Sequence, residues 1–193
     1  MKSSLFFALI LLAASASHSQ TSPAASEAER PASVAAKAAA APAPAPERKP
    51  DVIFVPTPQA VVDEMLRMAE IGPKDVLYDL GCGDGRIVVT AAQRYGVKAV
   101  GYDIDPLRVQ EAREKVRIAG VGHLVRIEQA DVFTLDLTGA SVITLYLLPQ
   151  LNVRLMPQLA RLRTGARILS HNFDMRGAKP VEVRHVTVEP GGD

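Results

Sequence analysis

The stretch Tyr78-Asp79-Leu80-Gly81-Cys82-Gly83-Asp84-Gly85-Arg86 decides how this chain folds. It holds the end of a buried strand predicted over residues 75–80, then a turn, then the start of a helix that continues through Ile87-Val88-Val89. The closely spaced glycines let the backbone turn tightly and approach a ligand, because no Cβ is in the way. The free N–H groups at the start of the helix face the turn. The sequence therefore predicts a nucleotide-like ligand at the carboxyl end of the first strand, with a ligand-free tight turn as the alternative.

The spacing of these glycines argues against a dinucleotide site. A dinucleotide fingerprint has the pattern G-x-G-x-x-G, whereas the glycines here fall at positions 81, 83 and 85. An acidic residue, Asp79, precedes the first glycine by two positions. Cys82 lies inside the turn with no histidine near it in the sequence. We interpret it as a small turn residue rather than a nucleophile.

The length and net charge of the chain limit the number of domains and the classes of partner that we expect. The chain has 193 residues, enough for one domain with a full hydrophobic core, and a formal net charge of +1. So small a charge gives no electrostatic reason to expect nucleic acid or an anionic membrane as a partner. A single cysteine excludes a disulfide within the chain.

The first residues have the pattern of a targeting segment. Lys2 precedes an apolar run at residues 5–14, which is too short to span a bilayer, and small residues at 14–16 and 17–19 offer cleavage sites. We interpret residues 1–19 as a secretory signal peptide or N-terminal hydrophobic segment, and residues 20–50 as an Ala/Pro-rich linker. The protein is then exported or periplasmic, or tethered to a membrane; a wrongly assigned start would make it cytoplasmic.

Residues 51–193 show alternating strand and helix patterns, which predict a single Rossmann-like α/β domain. Such alternation favours a mostly parallel sheet with helices on both faces, and ligands bind beyond the carboxyl ends of its strands. A helix follows Thr57-Pro58 to residue 71, and short edge strands are predicted at 181–183 and 186–188. Because little chain follows Met175, we expect a reduced final hairpin. The other predicted strands are 75–80, 98–103, 124–129, 140–147 and 166–170, and the other predicted helices are 86–95, 106–119 and 151–162.

The run Asp-Leu-Gly-Cys-Gly-Asp-Gly at residues 79–85 resembles the first motif of class I S-adenosylmethionine (SAM)-dependent methyltransferases. The resemblance implies SAM as cofactor and S-adenosylhomocysteine as product, bound by the turn with Gly81, Gly83 and Gly85. It also implies that Asp79 and the Gly81 backbone hold the ammonium of the methionine part. Asp131 would accept from the adenine amino group, with the N–H of Val132 on a ring nitrogen. A turn or cap role for Asp131 is the alternative.

Asp103 closes the second predicted strand, where a carboxylate can accept both hydroxyls of a ribose. The alternative role, capping the next helix, already belongs to Asp105, which directly precedes Pro106. Ile104 would then lie against the adenine as an apolar platform. No histidine, cysteine or carboxylate pair has the spacing of metal ligands, so no metal is expected.

Three further segments are similar to the small protein-lysine methyltransferases that act on the ATP synthase c-subunit and the adenine nucleotide translocase, and to their bacterial relatives. These segments are Val55-Pro56-Thr57-Pro58, residues 146–155 and Ser170-His171-Asn172-Phe173-Asp174-Met175. The resemblance implies a lysine acceptor in a protein, membrane proteins included. The Asn/Asp-Pro-Pro-aromatic motif of many nucleic-acid base methyltransferases is absent after the fourth predicted strand. No nucleic acid partner is therefore expected.

A lysine channel needs an aromatic wall, for which Tyr146 and Phe173 are the candidates. Each could instead be a core residue. Asn172 could bond to the substrate or cap a turn, and His171 could be a base or a hydrogen-bonded structural residue.

Three functions remain open from the sequence. The first is methylation of a protein lysine, the second is methylation of a small molecule, and the third is an exported SAM-binding module without catalysis. The sequence does not indicate the oligomeric state.

Overall fold

The computed structural model describes the backbone of residues 3–11 and the whole of residues 49–188. The predicted cleavage sites at 14–19 and nearly all of the predicted linker lie outside these described residues. The elements are β1 (Ser3–Leu11), α1 (Gln59–Met68), β2 (Val76–Leu80), α2 (Arg86–Tyr95), β3 (Lys98–Asp103), α3 (Pro106–Ile118), β4 (Val125–Gln129), a 3-10 turn (Val132–Thr134), β5 (Val142–Leu145), α4 (Pro149–Leu159), β6 (Arg167–His171) and β7 (His185–Val188).

The sheet has the order β4-β3-β2-β5-β6-β1-β7, and its first five strands are parallel. β2 lies in the middle of these five, with β3 on one side and β5 on the other. The chain therefore leaves β2 in one direction and later returns on its other side. A crevice for a ligand opens at the carboxyl end of a strand where the order reverses in this way. The predicted Rossmann-like α/β fold is confirmed.

Helices cover both faces of the sheet, and each face has its own core. Buried side chains of α1, α2 and α3 pack on one face with Leu77, and those of α4 pack on the other with Leu80. In β5, Val142 faces the first core and Ile143 the second. This alternation explains why the central strands are apolar throughout, because both of their faces are buried.

Several predicted boundaries shift, and each shift has a local cause. The fourth predicted strand, 140–147, shortens to β5 because the chain leaves the sheet at Tyr146 to begin α4 at Pro149, and proline suits a first helical position. The predicted strand at 181–183 is wrong. The structure shows an isolated bridge at Glu182, and Val181 and Val183 remain 61% and 42% exposed, so they bury no surface that would hold a strand.

β1 is antiparallel to both of its neighbours. Phe7 pairs with His171 of β6, and Leu5 pairs with Val186 of β7. The segment predicted to direct export thus contributes backbone pairing in this structure, and its export stays a prediction. Within residues 49–188 and the β1 segment, no helix has the length and apolar character needed to cross a membrane.

Candidate cofactor and acceptor site

A cleft lies at the carboxyl ends of β2, β3 and β5. Its volume is about 930 Å³, including the solvent-filled space at its open mouth. Residues 50–57, here called the strap, pass across it before α1 begins. Of the residues predicted for cofactor and acceptor, seven line the cleft: Asp79, Gly81, Asp103, Ile104, Asp131, Val132 and Tyr146. Gly83, Gly85, Asn172 and Phe173 do not belong to this lining.

The glycine turn folds as a tight loop under the cleft. The N–H groups of Gly81 and Cys82 both donate to the Tyr102 carbonyl, at 2.8 and 2.9 Å. Gly81, Gly83 and Gly85 all have positive φ, a conformation that side chains with a Cβ rarely adopt. Gly83 and Gly85 therefore shape the turn, and Gly81 alone of the three glycines also lines the cleft.

Gly83 has a second reason to lack a side chain. A Cβ at this position would lie 2.1 Å from Cε2 of Phe54, a strap residue whose ring also lies under the Arg108 guanidinium at 4.9 Å. Strap and glycine turn are thus in direct contact. The sequence prediction did not include Phe54 or Arg108. An aromatic residue shortly before the Thr57-Pro58 helix start is the signal that could have indicated the strap.

Asp103 joins the end of β3 to the glycine turn. Its Oδ2 accepts from the N–H of Gly83 at 2.8 Å, and its Oδ1 accepts from the N–H of Asp105 at 2.9 Å. Each carboxylate oxygen keeps a second lone pair for a ligand hydroxyl. Burial is the main cause that raises the pKa of Asp103. Asp105 caps α3 through the N–H of Leu107, as predicted.

Asp79 is a buried carboxylate that faces the cleft without a cationic partner among the described residues. It is 3% exposed, and its Oδ1 accepts from the Thr144 hydroxyl at 2.7 Å. Burial, with smaller contributions from Asp103 and Asp84, raises the pKa of Asp79 to about 7. A buried carboxylate of this kind gains stability from a bound cation, because the cation offsets the cost of desolvating its charge. The group fits the ammonium of a methionine moiety.

The whole cleft favours a cationic ligand over a phosphate. Its lining contains two arginines, Arg86 and Arg108, and a larger set of acidic residues: Asp51, Asp79, Asp84, Asp103, Asp105 and Asp131. A dinucleotide carries a pyrophosphate, which such a lining would repel, whereas SAM carries a sulfonium and an ammonium. The lining therefore fits SAM.

Asp131 begins the 3-10 turn and lines the cleft at the same time. Its Oδ1 accepts from the N–H of Phe133 at 3.0 Å, so the cap role weighed from the sequence is real. Gln158 of α4 donates to the Val132 carbonyl at 3.2 Å, in the peptide that follows the predicted adenine contact at the Val132 N–H. Arg154 lies over the Phe133 ring, 3.8 Å from its centroid.

Asp84 and Arg86 form an ion-pair cluster beside the cleft. Arg86 Nη2 lies 3.0 Å and Lys115 Nζ 2.5 Å from Asp84 Oδ2. Burial works to raise the pKa of Asp84, but the hydrogen bonds from Arg86 and Lys115 prevail and lower it. Arg86 Nη1 also donates to the Thr57 carbonyl at 2.9 Å, which fastens the strap to the start of α2.

Aromatic rings meet at the carboxyl ends of β5 and β6. The Tyr146 ring lies 3.9 Å from the His171 ring and 6.0 Å from the Phe173 ring, measured between centroids. Tyr146 is half-buried and borders the cleft, whereas His171 is fully buried behind it. Burial lowers the pKa of His171 to about 4, so the imidazole is neutral at neutral pH.

Asn172 lies between His171 and Phe173 in the sequence and has a left-handed backbone, with φ of 65°. Burial raises the pKa of Tyr146, and a hydrogen bond with the Asn172 side chain works in the opposite direction. Asn172 thus contacts the phenol that borders the cleft, although it does not line the cleft itself. Among the described residues, no group of three or more His, Cys, Asp or Glu side chains could hold a metal ion.

Known proteins resemble this chain over the same region. Residues 79–182 match a family profile described as "ANTKMT methyltransferase domain". The chain is 43% identical over 144 residues to a protein-lysine N-methyltransferase of Saccharolobus islandicus, a match that covers 74% of this chain and 88% of that protein. It is 34% identical over 133 residues to the lysine N-methyltransferase of Mus musculus that is named for the ATP synthase c-subunit. That match covers 65% of this chain and 51% of the mouse enzyme, so the chain spans about half the length of this relative.

A solved structure has the same fold and holds the demethylated cofactor. It is described as an RNA methyltransferase from Salinibacter ruber in complex with S-adenosyl-L-homocysteine, with 43% sequence identity and a TM-score of 0.66. The match covers 72% of this chain and 99% of that chain. The predicted class I methyltransferase fold and the predicted SAM cofactor are confirmed. The chain belongs to the ANTKMT methyltransferase domain family and is a SAM-dependent methyltransferase.

Proposed function

We propose that this protein methylates the side-chain amine of a lysine in a protein acceptor. The observation that carries the proposal is the aromatic wall at one end of the cleft, where Tyr146 borders the space and Phe173 stacks beside it. An aromatic face attracts an ammonium group and excludes water from it. The names of the archaeal and mouse relatives, both lysine N-methyltransferases, support the same acceptor.

The residues of the chain fit this chemistry by holding and aligning the reactants. Bound SAM supplies the methyl group on a sulfonium, which needs no acid from the protein. Asp79 is placed to hold the ammonium of the methionine part, and Asp103 to hold the ribose. The lysine must lose its proton before attack, and the apolar side chains of Leu147 and Leu151 beside Tyr146 lower a lysine pKa by desolvation. Alignment of the two reactants in the cleft then accelerates the transfer.

An RNA acceptor is the second candidate, because the Salinibacter ruber structure with 43% identity is described as an RNA methyltransferase. The charge of the cleft disfavours it. RNA binding draws on lysine and arginine side chains around the site, whereas the lining here is mostly acidic. The net charge of +1 gives the chain as a whole no electrostatic attraction to a polyanion.

A methyl-transfer assay separates these acceptors. The purified full chain would be incubated with tritiated SAM and cell extract, and the product divided for treatment with protease or with ribonuclease. We expect label that protease releases and ribonuclease does not, with ε-N-methyllysine in the acid hydrolysate. Label removed by ribonuclease would support RNA, and label confined to small molecules would support the metabolite alternative. Asp103→Ala, which removes the predicted ribose contact, is the background control.

A further inference from the structure

We propose that His171 is a positioning residue for methyl transfer, which braces the Tyr146 ring from behind and is itself fixed by Thr57 of the strap. The proposal rests on the function proposed above, because it takes Tyr146 as the wall of the acceptor channel. Neither the glycine motif nor the strand-end acids indicate this arrangement. It depends on three segments that are distant in the sequence and meet behind the cleft.

The packing of Tyr146 on His171 follows from the sheet. β5 and β6 are parallel neighbours, and Leu145 is opposite Ser170. Tyr146 directly follows the end of β5, and His171 is the last residue of β6, so the two residues lie at the same edge of the sheet. Their rings lie 3.9 Å apart between centroids with a tilt of 38°, which is close aromatic contact. Because His171 is fully buried and Tyr146 borders the cleft, the imidazole forms the floor on which the tyrosine ring lies.

Thr57 fixes the imidazole in turn. Its Oγ1 lies 3.2 Å from Nδ1 of His171, and the threonine is 5% exposed. The Thr57 carbonyl accepts from Arg86, at the start of α2. Thr57 is therefore held on both its backbone and its side chain. A ring held only by packing can rotate about its bonds, whereas a hydrogen-bonded imidazole has one preferred orientation, and this explains a histidine where a phenylalanine would fill similar space.

The backbone after His171 is folded into a strained turn that completes the brace. The N–H of Phe173 donates to the His171 carbonyl at 2.7 Å, a three-residue γ-turn with Asn172 at its centre in the left-handed region. Asn152 of α4 donates to the Phe173 carbonyl at 3.3 Å, and the Ser170 hydroxyl donates to it at 2.5 Å. Such strain persists only where surrounding contacts enforce it. Here it brings rings from both sides of the turn, His171 and Phe173, to Tyr146.

A role for His171 as a general base fits the structure poorly. The ring is 0% exposed and does not line the cleft, so an acceptor amine has no path to it through the described residues. Burial lowers its pKa to about 4, which makes it a weak proton acceptor. A neutral ring at this position has a different use, because it supports Tyr146 without placing a positive charge near the sulfonium and the lysine.

The test compares His171→Phe and Thr57→Val in the full chain. His171→Phe keeps an aromatic ring behind Tyr146 but removes the hydrogen bond to Thr57. Thr57→Val keeps the shape of the threonine side chain but removes its hydroxyl. We expect kcat to fall about 10- to 100-fold in both variants, because a displacement of a positioning group by about 1 Å has an effect of this size. The Kd for SAM should stay within about twofold of the wild-type value. Thr90→Val is the matched control, since Thr90 is a buried threonine of α2 outside this contact.

Two further readouts separate positioning from the alternatives. In a double-mutant cycle, the effects of Tyr146→Leu and His171→Phe on kcat should not be additive, because both act through the Tyr146 ring. The fall in rate at low pH, the acid limb of the pH–rate profile, should persist in His171→Phe. Additive effects, or a lower Tm with kcat unchanged, would overturn the proposal in favour of a merely structural residue. Loss of the acid limb with Thr57→Val fully active would overturn it in favour of a base.

The comparison uses whichever acceptor the wild-type chain methylates in the labelling assay. A chain that labels no protein refutes the lysine proposal on its own. The kcat ratios, the cycle and the pH profile still decide the role of His171.

Discussion

Asp79 shows how one buried side chain can serve binding at a cost to stability. A carboxylate that is 3% exposed and lacks a cationic partner among the described residues is costly to ionise, and burial raises its pKa to about 7. Between the ordinary pKa and this raised one, the folded protein binds more protons than the unfolded chain. Asp79 therefore lowers the free energy of unfolding as the pH rises from about 4 to 7, and a bound ammonium restores it.

We expect SAM binding to weaken as the pH falls through 7, because only ionised Asp79 attracts the ammonium. With a pKa of about 7, the ionised fraction falls about tenfold between pH 8 and pH 6, and the affinity should follow. Isothermal titration of the cofactor-free protein with SAM at a series of pH values measures this. A flat Kd over that range would contradict an ionising Asp79.

Asp79→Asn is the matched variant, since an amide oxygen can still accept from the Thr144 hydroxyl. It should weaken SAM binding at pH 8 at least about 30-fold, or about 2 kcal/mol, the scale of losing a buried charge pair. It should also raise the Tm of the cofactor-free protein at pH 8, since no buried charge remains to be desolvated. A variant that binds SAM as wild type does would show that the ammonium lies elsewhere.

Among the elements, the glycine turn is in direct contact with the strap. The Phe54 ring occupies the place that a Cβ at position 83 would take, so a side chain there must displace the strap. Gly83→Ala should therefore weaken SAM binding about tenfold or more, equivalent to about 1.4 kcal/mol. Equilibrium binding of SAM, with urea unfolding to follow stability, measures both consequences.

Gly96→Ala is the control for this prediction. Gly96 ends α2 with φ of 65°, and nothing lies within 4 Å of the place of its Cβ. Both variants carry the backbone strain of a side chain at positive φ, about 1–2 kcal/mol, but only Gly83→Ala meets Phe54. Adding Phe54→Ala should recover part of the loss in Gly83→Ala. Equal SAM affinities in the two alanine variants would show that contact with the strap is unimportant.

The sequence predicts these elements well where local pattern decides them. Buried strands with both faces covered are apolar throughout, and Asp105-Pro106 marks the start of α3, so both can be recognised without a structure. The γ-turn at Asn172 and the contact of Phe54 with Gly83 cannot be recognised from the sequence, because they depend on segments that are far apart in it. Asp103 and Asp131 fall between these cases. Their places in the cleft follow from the strand ends, and the bond of Asp131 to Phe133 is the cap role that the sequence offered as an alternative. The bond of Asp103 to Gly83 does not follow from the sequence.

At the scale of the whole molecule, the N-terminal segment has two uses that exclude each other. We propose that residues 1–19 direct export, on the basis of Lys2, the apolar run and the small residues that follow it. In the structure the same segment pairs as β1 with β6 and β7. A segment that is removed during export cannot remain in the sheet. The mature protein must therefore show one state or the other.

We expect the protein isolated from its own cells to begin at Ser17 or Gln20, because cleavage follows the small residues at 14–16 or 17–19. Mass spectrometry of the intact protein and of its N-terminal peptide measures this. Retained Met1 would contradict cleavage and favour β1 as a permanent strand. Replacing Leu9 by Lys, which interrupts the apolar run, should abolish export while leaving the protein detectable in the cell.

We expect the strap to lengthen the time for which the spent cofactor stays bound. Three fastenings hold it across the cleft: the Phe54 ring on Gly83, the Arg108 guanidinium over that ring, and the bond from Arg86 to the Thr57 carbonyl. These contacts persist after the methyl group has left, because none of them involves the reacting atoms. S-adenosylhomocysteine must therefore leave past the strap, and its residence time, rather than the chemical step, can set the rate of repeated turnover.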